Sequence, residues 1–580
     1  MELHRRKALP WVYWAQVTLI IVYLTQLLVL FETDCYYTVH LLCGVMGIVS
    51  LTAMRFKDGF QVTLRQNIGL LVGAVLFSGA CMLANYQYFL SLNPGQKFIE
   101  AVIWLFGGIC VGYSILRYMF AYTPEKDKSV KSVRAGIVFL SVFVLIAIVD
   151  LTFLFFVRYP GVLTLDSMAS VREFQNNWYS NLNPFYFTVT IELFYWLGYA
   201  LFGNPNAAIA FYVCVQVLFM AACFAYCVVT LYQAGVPKWY WIAAFAAYWL
   251  QPYHIAYSVT VWKDVVFSGA ALLIVTALYR ILRGIGKRPW LSYVIFTVGI
   301  LGLSLWRTNG WYAVLVMGIL TALLLWKRNR KLVMLLGTLI VGGWILINPA
   351  LDAWGVSSTD MVEAFSIPLQ QIARVVYDGN PITEDEEALL EQMLDMDIVR
   401  EDYTPDFADP IKWYAFRRDN LEFIREHFGE YAKLWLKMGM RYPTVYLKAW
   451  VDQTKGYWNG GYSYWIYADQ VVENEFGIEP IRQPNAISDG FMQYFSLFES
   501  SYCYQPLISI GLHVWALFAC LLVNVLHKRR EALLCIPIVV LVVGLWLGTP
   551  VFAEFRYAYP VFVSMPLILG ATLFAPKDVT

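Results

Sequence analysis

Apolar runs of about twenty residues, the length an α-helix needs to cross hydrocarbon, recur along the chain between short polar loops. The first five cover 11–31, 37–54, 68–91, 99–121 and 136–157. The loops after the second and fourth, "RFKDGFQVTLR" and "TPEKDKSVKSVR", are basic, whereas "FETDCYY" after the first is not. Basic loops stay on the cytoplasmic side, so this alternation predicts a cytoplasmic N-terminus and an exterior position for 158–182.

Further apolar runs start near 183, 207, 239 and 264, ahead of the basic "RILRGIGKR" at 280–288. If all four crossed, that basic loop would lie outside, against the charge rule. The run at 183–203, "NPFYFTVTIELFYWLGYALFG", carries Glu192 and is bounded by Asn, Pro and Gly. It is expected to lie along the outer interface, anchored by its Tyr and Trp residues. With that assignment "RGIGKR", "KRNRK" and "HKRRE" fall inside, and "WRTNG" and "AEFRYAYP" fall outside. The expected fold is an all-α polytopic membrane protein of about fourteen transmembrane helices, with both termini cytoplasmic.

Residues 351–505 break the pattern, being charged and loop-rich with helical stretches such as "EDEEALLEQML". Parity places them outside as a mostly helical extracytoplasmic domain, and long segments are translocated regardless of charge. The expected organisation is a four-span extension at 1–135, a core module at 136–350 with its catalytic outer loop at 158–182, the exterior domain at 351–505, and a three-span bundle at 506–580.

Composition agrees with the membrane assignment: 59% of residues are hydrophobic and 14% charged, against about 25% charged in soluble proteins. A net charge of +1 gives no field that would draw nucleic acid. Eight of ten cysteines (43, 81, 110, 214, 223, 227, 520 and 535) sit in apolar runs as small hydrophobes, and only Cys35 and Cys503 fall near loops. No disulfide framework or zinc spacing is readable. The basic start "MELHRRKALP" predicts an uncleaved first span, and the absence of any N-x-[ST] sequon favours a bacterial plasma membrane.

Polar groups at the exterior ends of the spans then stand out. Asp166 follows the fifth span, with Arg172 and Glu173 behind it. "QPYHIAYSVTVWKDVVF" holds His254, Lys263 and Asp264, "LWRTNGW" holds Arg307, and "FAEFRYAYP" holds Glu554 and Arg556. Each has a plainer role open to it. Arg307 and Arg556 could snorkel to headgroups, Asp166 and Asp264 could cap the helices they precede, and His254 could bond within its loop. Asp150, inside the fifth span, is costly there and should pair within the bundle. Taken together, carboxylates and cations at one face suit a phosphate-bearing ligand and a nucleophile that needs activation. Cations stabilise charge on a leaving phosphate, and a carboxylate accepts a proton from an attacking hydroxyl.

In this order, the loop Asp166, the "NPF" helix ending "LFGNPNAAIAFY", the "WKD" of a second outer loop and the late "EFRYAYP" resemble the GT-C superfamily of integral-membrane glycosyltransferases. The resemblance covers roughly 136–576, and "EAFSIPLQQIARVV" at 363–376 looks like a segment of a bacterial branch. It implies transfer of a sugar from a polyprenyl-phosphate donor, by inverting single displacement, to a glycan, lipid or polymer acceptor of the cell envelope. By the same resemblance Asp166 is the catalytic base, and Asp264 positions the sugar or an optional divalent ion, Mg or Mn. Lys263, Arg307 and Arg556 would bind the donor phosphate, with His254, Glu554 and Arg172 in support. The chain departs from the pattern in lacking a second acid beside Asp166 and in placing Lys263 directly before Asp264.

A lipid or lipid-linked-sugar transporter is the competing reading. Transporters carry ionisable residues and broken helices at the bilayer midplane, whereas here the charges crowd at span ends. A polymerase or ligase of envelope glycans would share the donor and differ in the acceptor.

Overall fold

The computed structural model describes residues 10–30, 35–56, 62–122, 134–358, 361–462, 468, 470–481, 484–499, 501 and 504–574. The N-terminal basic flank, the basic stretches 57–61 and 123–133, and Cys503 lie outside the described residues, as does the Cys35 side chain. The regular elements among the described residues are all helices, with isolated β-bridges instead of strands. Among the described residues ten helices, Phe185–Phe202 included, are long and apolar enough to cross a membrane, and Trp11–Leu27, Pro289–Leu305, Ile510–Leu526 and Ala532–Gly548 are shorter apolar helices. The protein is an all-α polytopic membrane protein.

Local chemistry starts many of these helices. Asn93 and Asn204 each cap a helix whose next residue is proline, accepting from Gln96 N at 2.9 Å and Ala207 N at 2.8 Å. The capping oxygen meets an orphan N–H, and proline at the first position lacks only a donor that has no partner anyway. Two expected spans are interrupted. The run 68–91 divides into Leu64–Ala84 and Tyr86–Ser91, where Asn85 turns its amide back onto Cys81 O at 2.7 Å. The run from 239 divides into Lys238–Leu250 and Pro252–Ser258, because Pro252 has no N–H to continue the ladder.

Lys263–Arg283 is the centre of the molecule: every residue from Asp264 to Tyr279 is buried. Pro205–Gln233, Pro289–Leu305 and Phe555–Phe574 pack around it. The helices Pro10–Leu30, Cys35–Phe56 and Pro94–Ala121 hold a smaller core of their own, and Leu64–Ala84 meets Ile510–Leu526, with Gly69 and Gly73 against Leu526 and Leu522. Between 351 and 505 a separate apolar core runs only from Val362 to Tyr446. Val451, Tyr457, Trp458, Ile478, Phe495 and Tyr504 instead join the main core, so the expected domain boundary at 505 falls too late.

The 183–203 run forms the Phe185–Phe202 helix, ended by Gly203 in the left-handed region at φ 73. Along its length it meets the same end of several helices. Tyr186 donates to Leu346 O at 2.8 Å, Thr190 accepts from Trp306 Nε1 at 3.3 Å, Tyr195 packs on Phe174, and Gly198 abuts Ala208. Leu346, Trp306 and Ala208 all lie at the helix ends nearest Asp166 and Arg307.

Candidate functional site

The site is built where two loops are zipped together. After Ala135–Val157 the chain turns through Tyr159-Pro160-Gly161, with a cis Tyr159–Pro160 peptide and Gly161 at φ +134. A Cβ at Gly161 would come within 2.8 Å of the Val213 side chain. This backbone lets Val162 donate to Val259 O at 3.0 Å and accept from Val261 N at 2.9 Å. On its other side Leu163 donates to Gln470 O and accepts from Val472 N, at 3.2 and 3.0 Å. Buried Gln216 holds the second loop from below, donating to Ser258 O and Thr260 O at 2.9 and 2.8 Å.

Two side-chain bonds then fix the helices that leave these loops. Trp262 Nε1 donates to Thr164 Oγ1 at 2.7 Å, and Ser167 Oγ donates to Val261 O at 2.7 Å. Asp166 and Asp264 are each the second residue of the helix that follows, Leu165–Gln175 and Lys263–Arg283. Neither is a cap: the cap positions belong to Thr164, in a capping box with Ser167, and to Trp262. The capping reading of both carboxylates is thereby removed.

The third wall comes from 549–557. Tyr457 OH accepts from Glu554 N at 3.0 Å and from Thr549 Oγ1 at 3.1 Å. Loop 404–408 of the second core pairs with the same stretch, through Ala408 N to Pro550 O at 2.8 Å and Phe552 N to Asp406 O at 2.9 Å. So held, Arg556 reaches Asp166, 390 positions away in sequence, with Nη1 to Oδ2 at 2.6 Å. Its Nε lies 3.4 Å from Glu554 Oε1. Arg307 pairs with Asp264. The Tyr557 ring lies between the two guanidinium groups, 4.5 Å from that of Arg307 and 5.1 Å from that of Arg556, and Trp262 stands 5.2 Å from Arg556. Flat guanidinium groups on aromatic faces keep their orientation at little desolvation cost.

The carboxylates differ in kind. Burial would raise the Asp166 carboxyl, but the charge of Arg556, followed by Lys263 and Arg307, with the Arg556 hydrogen bond, outweighs it and holds it below the usual range. Its side chain is 47% exposed against 11% for Glu554, so Asp166 is the carboxylate a ligand can reach. Glu554 is pushed up to about 7 by burial, and its neighbours Asp264 and Asp166 add to the shift against the pull of Arg556.

Asp166, Lys263, Asp264, Arg307, Glu554 and Arg556 therefore converge as the sequence suggested. His254 and Arg172 do not, and their supporting roles are corrected. His254 turns into the bundle, where Nδ1 meets Tyr559 OH at 2.7 Å. Arg172 pairs with Glu475 on the surface at 3.2 Å. Tyr557 and Trp262 were not singled out from the sequence, although each adjoins a charge that was. Asp150 is buried inside the fifth span.

The donor set does not fit a divalent ion. Asp264 spends Oδ1 on Arg307, Asp166 and Glu554 share Arg556, and among the described residues no three His, Cys, Asp or Glu side chains converge on one point. Mg commonly binds through one or two carboxylates together with phosphate and water, but here each carboxylate is already held by an arginine.

No curated protein and no solved structure matches the chain. A family of unknown function, DUF6020, matches residues 175–576, which takes in Lys263, Asp264, Arg307, Glu554 and Arg556 and begins just after Asp166. The chain belongs to the DUF6020 family.

Proposed function

We propose that the protein is a membrane glycosyltransferase that moves a sugar from a polyprenyl-phosphate donor to a cell-envelope acceptor at the outer face of a bacterial plasma membrane. The observation that carries this reading is the Asp166–Arg556 contact, which sets a reachable, ionised carboxylate beside Arg307 and Lys263 at one end of an apolar bundle. A donor whose tail stays in lipid and whose phosphate rests at the interface fits a charge cluster at span ends.

In the reaction the acceptor hydroxyl attacks the anomeric carbon from the face opposite the phosphate. The carbon–oxygen bond to phosphate breaks with inversion, and polyprenyl phosphate leaves carrying the electron pair. Asp166 orients the hydroxyl and accepts its proton as the new bond forms. Lys263, Arg307 and Arg556 stabilise the charge that grows on the leaving phosphate, and Asp264 fixes Arg307. Fourteen helices cross, both termini are cytoplasmic, and Phe185–Phe202 lies along the outer interface. The run of same-end contacts along that helix supports its lying across the bundle end.

The test is to incubate detergent-purified protein with radiolabelled polyprenyl-phosphate hexoses and membrane extract. Label passing from donor lipid to a new product is expected. Donor moving between leaflets of proteoliposomes, with no label transferred from any hexose donor, would replace this reading with a lipid transporter.

A further inference from the structure

Three cations and three carboxylates meet at the site, but they are not evenly matched. Arg307 is paired with Asp264, and Arg556 with Asp166 and Glu554. Lys263 sits among Asp166, Asp264, Arg307 and Arg556, yet among the described residues no carboxylate comes within ion-pair distance of its ammonium. It is mostly enclosed, on the first turn of the most buried helix. A partly buried ammonium that faces two guanidinium groups and has no close counter-charge is poised to take an anion from a ligand.

The carboxylate beside it is incomplete in a complementary way. Asp264 is fully buried, its Oδ1 takes Arg307, and its Oδ2 has no hydrogen-bond partner. The three fixed cations around it, Lys263, Arg307 and Arg556, would repel a divalent ion. A ligand that carries an anionic phosphate and a hydroxyl close to it would satisfy both groups.

We propose that Lys263 supplies, from within the chain, the positive charge that a divalent ion would otherwise bring to the ligand's phosphate, and that the site works without metal. This rests on the phosphate-ligand reading given above. Lys263 meets a phosphate oxygen directly, while the two arginines stay in their ion pairs and add their charge from either side. Asp264 Oδ2 accepts from a hydroxyl of the group attached to that phosphate.

The test is calorimetric titration of the full-length protein in detergent with farnesyl monophosphate, after EDTA treatment and again with added Mg or Mn. Affinity is expected to be unchanged by EDTA and by either metal. K263M should weaken binding by about tenfold or more, the loss of one charge-assisted contact, while K263R keeps most of the affinity because guanidinium also receives phosphate. Binding that vanishes in EDTA and returns with Mg or Mn would overturn the inference and leave the phosphate reading standing. So would wild-type affinity in folded K263M. If K263M does not fold, the EDTA comparison on wild type and K263R decides. Failure of wild type to bind farnesyl monophosphate in every condition would overturn the phosphate reading itself, and this inference with it.

Discussion

Arg556 serves two carboxylates of unequal character, and their titrations carry opposite signs. Glu554 is raised from an ordinary 4.5 to about 7, so its contribution to stability is full below about 4.5, declines as pH rises, and is lost above about 7. The change is on the order of 3 kcal/mol. Glu554→Gln should flatten that part of the profile, and thermal unfolding of the two proteins across this range checks it. A difference between them that does not vary with pH would show that Glu554 ionises freely. Asp166 runs the other way: its carboxyl is held below 3.8, so its contribution is present at neutral pH and lost only in acid. Asp166, Asp264, Lys263, Arg307 and Arg556 were all legible as candidates, because ionisable residues at the ends of apolar runs are few. Their pairing was not legible, since nothing in the pattern says that the ends of the fifth and last spans touch. His254 was misread for the same reason: a proline-led loop in the sequence is a buried turn of helix in the fold.

At the scale of elements, the site depends on backbone that only certain residues permit. Gly161 holds a positive φ between Val213 and Val259, and the pairing of Val162 with both Val259 and Val261 follows from it. Gly161→Ala should lower stability by about 1–3 kcal/mol, the cost of a sparsely populated backbone region, and reduce transfer, read by unfolding and by turnover. Gln216→Leu should act on the second loop. It strands the buried carbonyls of 258 and 260, so stability should fall by about 1–3 kcal/mol and turnover should fall with it, read by unfolding and by transfer rate. Helix positions were readable from apolar periodicity, but the breaks at Asn85 and Gln251 were not. Short interruptions by Asn or Pro leave the hydropathy of the run almost unchanged.

In the whole molecule, the second core is tied to the bundle by a buried charge knot. Asp452 accepts from Arg374 at 2.6 Å, Tyr86 at 2.6 Å and Lys455 at 2.9 Å, and so joins the helix Ser366–Tyr377, the N-terminal four helices and the strut that leads to Tyr457. Asp452→Ala strands two cations and should cost about 3–5 kcal/mol, measured as a lower melting temperature of the full chain. The segment "EAFSIPLQQIARVV" thereby gains a physical role. Glu363 binds Lys412, Gln371 binds Trp435, and Arg374 enters the knot, so it organises the domain around it. A segment set apart from the spans was legible from its charge and helical periodicity. Its true extent was not, because the residues after Val451 are as polar as the domain yet pack into the bundle core. Asp397 is an exposed position on this domain. In a chain whose Cys35 and Cys503 are replaced by Ser, Asp397→Cys in intact cells should react with a membrane-impermeant maleimide, and labelling only after lysis would reverse the proposed orientation.

The most direct measurement is the single-turnover rate of sugar transfer by Asp166→Asn beside wild type, with donor binding measured on the same preparations. The substitution keeps the shape and the contact with Arg556 but removes the base. The account predicts a fall in rate of about 10²–10⁴-fold, with donor still bound and the fold intact. Transfer at the wild-type rate by folded Asp166→Asn would contradict it.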